Sequence, residues 1–337
     1  MNIVLKPFQE TSTGSVVTQL RAAWREGRIG TPQAVVLSAP TASGKTVIAT
    51  AALERLVHGD ETTTGDEGAV VLWLTDLPEL NEQTRRRMRE FSSEFTPDDL
   101  IVVDTDFDAE RLTPGRIYFL NTQKLVAGRT LVTNGDDRSF TFWETIANTT
   151  ADPTRHLFCV IDEAHRGMAE GADRELASSI MQKFIKGSPG EVAPLPVVLG
   201  ISATPERFAR LISGAVRITR PVPVPIDEVR ESGLLKERVS LYHPKEAQPS
   251  DMTLLRRSAT DWRTFSSRWA TYCAAEGEAP VEPILIVQVL DGNKDLLTRT
   301  HLDEVITAIR EEVGALPDVA LAHAFQEGEA VTIGTTR

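Results

Sequence analysis

Three short stretches carry residues whose types and spacing can do chemistry on a phosphate ester. The first is Ala39-Pro40-Thr41-Ala42-Ser43-Gly44-Lys45-Thr46. It follows an apolar β-branched run and opens a helix-like segment, a setting in which loop amides and a helix amino terminus face an anion together. The amides of Thr41, Ala42, Ser43 and Gly44 would cradle a nucleotide. The Lys45 ammonium would reach its β- and γ-phosphates, and the Thr46 hydroxyl would ligate Mg²⁺. The glycine usual at the first position of such a loop is Ala39 here. A glycine turn capping a core helix has a similar sequence, and the strand–loop–helix order favours the phosphate reading.

The second stretch is Ile161-Asp162-Glu163-Ala164-His165, directly after LFCVI. A carboxylate leaving a buried parallel strand lies at the carboxyl edge of its sheet, where a phosphate loop also lies. Asp162 can hold Mg²⁺ through water, and Glu163 can orient or deprotonate an attacking water. Alone, such a pair is as often a helix cap. Beside a phosphate loop the catalytic reading is the stronger one. The third stretch, Ser202-Ala203-Thr204-Pro205, has the form of a helix start with Thr204 as N-cap and Pro205 in the first turn. Its hydroxyls can also link a nucleotide site to a neighbouring lobe.

The elements that must position these residues are legible as apolar runs at 34–38, 69–74, 100–103, 116–120, 157–161 and 197–202. They do not alternate polar with apolar, as expected of strands covered on both faces. Helix candidates such as 45–57 and 77–91 lie between them, which implies βαβ units and a parallel α/β sheet. From Pro221 the run PVPVPIDEVRESG reads as an extended linker, because each proline lacks a donor and restricts its neighbour. A second α/β segment follows, with a strand at 284–290, a helix near 301–313 and a short strand near 319–323. The expected organisation is therefore 1–220 as a complete lobe, 221–280 as a hinge and 281–337 as the start of a second lobe. One or two strands do not complete a domain, so the chain reads as the amino-terminal piece of a longer protein.

Composition sets bounds on this reading. The 337 residues include 36 Lys and Arg against 48 Asp and Glu, a net charge of −12, with 41% hydrophobic and 25% charged residues. That is an ordinary globular balance, and it argues against a simple basic DNA-coating protein while leaving room for a local basic groove. Cys159 and Cys273 are too few for a disulfide framework or a cysteine zinc site. No apolar run approaches the ~18 residues of a membrane span, and MNIVLKPFQE lacks a secretory pattern, so a cytoplasmic protein is expected.

The three stretches, in this order and each at a strand end, resemble a superfamily 2 helicase of the DEAH-box type over about the first 220 residues. Phe8-Gln9, LTDLPELNEQT (74–84), FLNTQKL (119–125) and SGLLKERV (232–239) further resemble the amino-terminal half of the helicase–translocase (Res) subunit of type III restriction enzymes. The resemblance implies a RecA-like P-loop ATPase lobe followed by an incomplete second one, with ATP and Mg²⁺ as cofactors. It implies that Gln9 reads the adenine edge and that His165 couples the nucleotide site to Ser202 and Thr204. It also implies that Thr75, Asn121, Thr122 and Gln123 touch nucleic acid, DNA in preference to RNA. A modification or nuclease subunit would be a further partner.

Other features admit structural readings. Asp76 and Glu79 form a capping box, followed by Leu80, Met88 and Phe91 at helical spacing. Arg85, Arg86, Arg87 and Arg89 could line a phosphate track or form a solvated basic face. Trp262, Phe265, Trp269 and Tyr272, interleaved with arginines, fit a helix burying one aromatic stripe better than a base-stacking platform. The later helicase motifs, including an arginine finger, do not occur before Arg337. Nucleotide binding is therefore expected, with weak hydrolysis. The alternatives are a nucleotide-gated binding module without motor activity, or an RNA helicase.

Overall fold

The computed structural model describes residues 1–75, 78–126, 128–133, 138–162, 180–190, 192–235, 251–287, 302–314, 321–324 and 330–333. The six apolar runs form strands β1 (Gln33–Ser38), β2 (Ala69–Thr75), β3 (Leu100–Val102), β4 (Ile117–Asn121), β5 (His156–Asp162) and β6 (Val197–Ser202). A seventh, β7 (Ile218–Pro223), completes a sheet in the order β3-β4-β2-β5-β6-β1-β7, parallel throughout.

The lack of alternation follows from helices on both faces. Successive β2 residues serve opposite cores: Val71 and Trp73 join one cluster, and Val70, Leu72 and Leu74 the other. The first cluster is closed by α1 (Pro7–Gly27) and α2 (Lys45–Val57), through Phe8, Val16, Leu20, Ile48 and Leu53. The second is closed by α4 (Phe142–Ala151), helical residues 180–186 and α5 (Pro205–Leu211), through Phe142, Ile146, Phe184 and Phe208. Between α2 and α4 lies α3 (Pro78–Phe91). A capping box opens α4: the Glu144 amide donates to the Thr141 hydroxyl, and the Glu144 carboxylate accepts from the Thr141 amide. This is the α/β, RecA-like P-loop arrangement.

The proline-rich segment is not a linker. The Ile218 and Val224 amides donate to the Pro32 and Ser38 carbonyls. By the two-residue period, the amide positions of 220 and 222 also face β1, while those of 221 and 223 face the open edge. Pro221 and Pro223 therefore occupy the two places where a missing N–H costs no ladder bond, and they leave an edge that a further strand cannot easily extend. The short helix α6 (Ile226–Glu231) follows.

The chain divides into two compact units, Met1–Arg238 and Val239–Arg337. In the second, α7 (Asp251–Glu276) packs on α8 (Leu302–Val313) through Leu255, Ala259, Val305 and Ile309, and Arg256 pairs with Glu311 and Glu312. A 26-residue helix thus occupies much of the expected hinge. The aromatic stripe is not a buried one: Trp262 reaches the cluster, but Phe265, Trp269 and Tyr272 are 48%, 44% and 53% exposed. Length explains this, since the 12 residues of α8 span ~18 Å against ~39 Å for the 26 of α7. The strand expected at 284–290 is absent over 284–287, and 288–290 lie outside the described residues. Pro283 lacks the donor a ladder needs, and no neighbouring strand pairs with the segment among the described residues. The strands described in this unit, β8 (Leu321–Ala324) and β9 (Ala330–Ile333), form an antiparallel hairpin.

Candidate functional site

At the carboxyl edge of the first unit, β1 leads directly into the phosphate loop. The Ala39 amide donates to the Ser202 carbonyl (3.2 Å), which ties the start of the loop to the end of β6. The Ser43 amide and hydroxyl both donate to the Pro40 carbonyl, at 3.2 and 2.7 Å. Ala42 and Gly44 take left-handed conformations, with φ of 69° and 81°, and α2 starts at the next residue. The amides of Thr41, Ala42, Gly44, Lys45 and Thr46 meet no acceptor among the described residues. The Lys45 ammonium meets no carboxylate there either. Five unspent donors, one unpaired cation and a helix amino terminus form a receptor for a polyanion. The half-buried Thr46 hydroxyl and Asp162 carboxylate are of the hard-oxygen type that suits Mg²⁺, so the residues present fit a magnesium nucleotide.

The register sets the other residues along the same edge. Ser38 lies opposite Ser202, and Asp162 opposite Ile201. Thr75 follows Leu74, whose partner is Ile161, and it lies opposite Asn121. The edge therefore reads Asn121, Thr75, Asp162, Ser202 and phosphate loop, in adjacent strands. Glu163 and His165 lie outside the described residues. Thr204 takes the N-cap position of α5 with Pro205 in the first turn, but its hydroxyl makes no capping bond. The Ser202 hydroxyl closes this corner instead, donating to the Thr204 carbonyl and accepting from the Thr204 amide, both at 3.0 Å.

Gln9 is buried at 6% exposure, and both ends of its amide are engaged by the chain itself. It accepts from the Lys6 amide and donates to the Ser43 carbonyl, each at 3.0 Å. Of the residues expected at nucleic acid, Thr75, Asn121 and Thr122 are buried and only Gln123 is exposed. The Thr75 hydroxyl donates to Asn81 (2.9 Å), and Asn121 accepts from the Gln123 amide (2.7 Å), capping the 3₁₀ turn Thr122–Leu125. Asn81 went unread in the sequence. Its signal is that Asn81 and Thr84 stand in line with Met88 on the buried stripe of α3, where apolar residues belong. On that helix Arg85 forks onto Glu82 and Arg86 lies 3.9 Å from Glu90, while Arg87 and Arg89 are exposed without an ion pair among the described residues.

At the opposite edge of the sheet, the Arg217 guanidinium donates to the carbonyls of Gln33 (2.8 Å), Ile185 (2.9 Å) and Leu195 (2.5 Å). Burial lowers its pKa to about 10. Burial also pushes the Cys159 thiol, inside β5, up to about 12, which leaves it an inert core group.

No helix among the described residues is long and apolar enough to cross a membrane. A search of curated proteins finds no match. Similar solved structures include the DUF1998 helicase MrfA bound to DNA and AMPPNP, at 17% identity and a TM-score of 0.37 over 65% of this chain and 30% of that one. They also include a nuclease-deletion mutant of the type ISP restriction-modification enzyme LlaGI in complex with a DNA substrate mimic, at 14% identity and a TM-score of 0.36 over 82% of this chain and 24% of that one. This chain thus spans less than a third of either. The family model for the type III restriction enzyme, res subunit, matches residues 2–207. That is more than half of the sequence, and the chain belongs to the type III restriction enzyme res subunit family.

Proposed function

We propose that the first unit is the ATP-binding lobe of a motor that hydrolyses ATP with Mg²⁺ and moves on nucleic acid, DNA in preference to RNA, in a restriction or phage-defence system. The observation that carries this reading is the loop at the end of β1, one strand from Ser202 and two from Asp162, whose five amides and Lys45 ammonium meet no acceptor or carboxylate among the described residues. On this reading Lys45 sets its charge against the β- and γ-phosphates, and Thr46 and Asp162 hold the metal. Bound Mg²⁺ supplies neutralisation of the phosphate charge. Glu163 orients the water and takes its proton, and Ser202, Thr204 and His165 relay the state of the site. Gln123, with Thr75, Asn121 and Thr122 shaping the edge beside it, meets the nucleic-acid backbone, a contact that positions without reading sequence. A modification or nuclease subunit is a partner of the whole protein. On this reading the protein works in the cytoplasm.

The test is ATP binding and turnover by this chain and its Lys45→Ala variant, with and without duplex DNA. Removing one charged donor from a phosphate site costs about 1.5–3 kcal/mol, so ATP should bind the variant roughly 10- to 100-fold more weakly. Turnover should be low in both, because an arginine finger contributes about 10³–10⁵-fold in related chemistry. Equal ATP affinity in the two proteins would sink the reading. A nucleotide-gated binding module is favoured by one observation, the burial of Thr75, Asn121 and Thr122. It predicts ATP-dependent partner binding that survives Glu163→Gln.

A further inference from the structure

The Gln9 amide has no freedom in how it is read. The Lys6 N–H needs an acceptor and the Ser43 carbonyl needs a donor, so the Gln9 oxygen faces the first and its nitrogen the second. The nitrogen also lies against Gly44, where a Cβ would approach it to 2.6 Å. Gln9 is thus packed on the Ser43–Gly44 peptide from behind. In a trans peptide the carbonyl and the following N–H point in opposite directions. A bond that holds the Ser43 carbonyl on the Gln9 side therefore turns the Gly44 N–H, one of the loop's unspent donors, to the other side. The Ser43 side chain does the same one turn earlier: by holding the Pro40 carbonyl it orients the Thr41 N–H.

We infer that Gln9 is a positioning residue for phosphate recognition, acting through the Ser43–Gly44 peptide, and that its contribution to affinity does not depend on the base. The inference rests on the nucleotide-binding reading above. It differs from adenine reading in what it predicts: a ligand with phosphates and no base should be weakened as much as ATP.

The experiment compares the magnesium complexes of ATP, GTP and inorganic tripolyphosphate, titrated into the wild-type chain and the Gln9→Ala and Gln9→Met variants. Met fills the volume without donating, so it keeps the packing if Ala disturbs it. Losing the hydrogen bond that orients a donor should weaken all three ligands by a common factor of about 3–10 in both variants, while Gln9→Met stays folded with a lower ligand-free melting temperature, because Met also leaves the Lys6 N–H without its acceptor. Loss of the ATP-over-GTP preference with tripolyphosphate unaffected would overturn the inference in favour of base reading. Unchanged affinities for all three would overturn it too. Wild-type binding that is indifferent to Lys45→Ala would instead overturn the nucleotide-site reading on which the inference stands.

Discussion

Ala42 is the one non-glycine residue with positive φ among the described residues, at 69°. For an L-residue that conformation costs roughly 1–2 kcal/mol through the approach of Cβ to the following carbonyl. Glycine has no Cβ, so Ala42→Gly removes this strain. Glycine's greater freedom in the unfolded chain takes back about 0.4–1 kcal/mol. Ala42 is exposed, so no packing is lost. The balance is a gain of roughly 0.5–1 kcal/mol, which for a domain of this size raises the melting temperature by about 1–4 °C. Thermal unfolding of the ligand-free chain reads this directly. Ala49, buried in the middle of α2, is the control: the same change there should lower stability by about 1 kcal/mol. If Ala42→Gly lowers the melting temperature as Ala49→Gly does, Ala42 is not left-handed in the folded protein and the geometry assigned to the loop is wrong.

Three further outcomes follow from the same packing. A Cβ on Gly200 would fall 2.3–2.5 Å from the buried Phe208 ring, so Gly200→Ala should destabilise by about 1–3 kcal/mol in denaturant titration, partly relieved in a double variant with Phe208→Leu. Arg217→Lys keeps the charge but cannot serve three carbonyls in one plane, and should cost about 1–3 kcal/mol, whereas an unchanged denaturation midpoint would show those bonds to be dispensable. Glu54 is buried, which raises its carboxyl pKa, but bonds from the Met1 ammonium, Ser92 and the Ser93 amide outweigh this and hold it below the usual 4.5. A folded-state pKa below the unfolded one contributes stability above about pH 4.5 that is lost as pH falls through the lower folded value. Acidification from pH 5 should therefore narrow the stability gap between the wild type and Glu54→Gln, and a gap independent of pH would refute the assignment.

What the sequence disclosed depended on whether a physical cause acted within a few neighbouring residues. Strands β1, β2, β4, β5 and β6 were legible because burial on both faces removes polar residues from the run, and the edge strand β3 by its short β-branched run alone. Strand β7 was not, since its prolines carry the usual signature of a linker, and only the register against β1 shows that they sit on the open edge. The phosphate loop was recognisable from its spacing, yet the departure that catches the eye, Ala39, is a buried residue whose amide bonds to Ser202, whereas the strained alanine is Ala42. The residues expected at nucleic acid were placed at the right strand ends. Which way their side chains face was set by α3 and by the turn after β4, through Asn81 and the Gln123 amide, and no local pattern encodes that.

The strand order has a consequence for how nucleotide and nucleic acid would communicate on the proposed reading. Nucleotide-side residues occupy β1, β6 and β5, nucleic-acid-side residues occupy β2 and β4, and the two sets meet at a single boundary between β5 and β2. Thr75 is level with Asp162 across it, one strand spacing or ~4.8 Å away. Because Thr75 is buried and bonded to Asn81, a shift at the end of β5 cannot move it alone. It must carry the start of α3, and with it the exposed Arg87 and Arg89. A threonine with its side chain on the nucleic acid would report only its own contact, whereas one anchored to a helix moves a charged surface. Burial of Thr75 is therefore compatible with a coupling role, and it shifts the predicted contact from the threonine hydroxyl to the helix that the threonine holds.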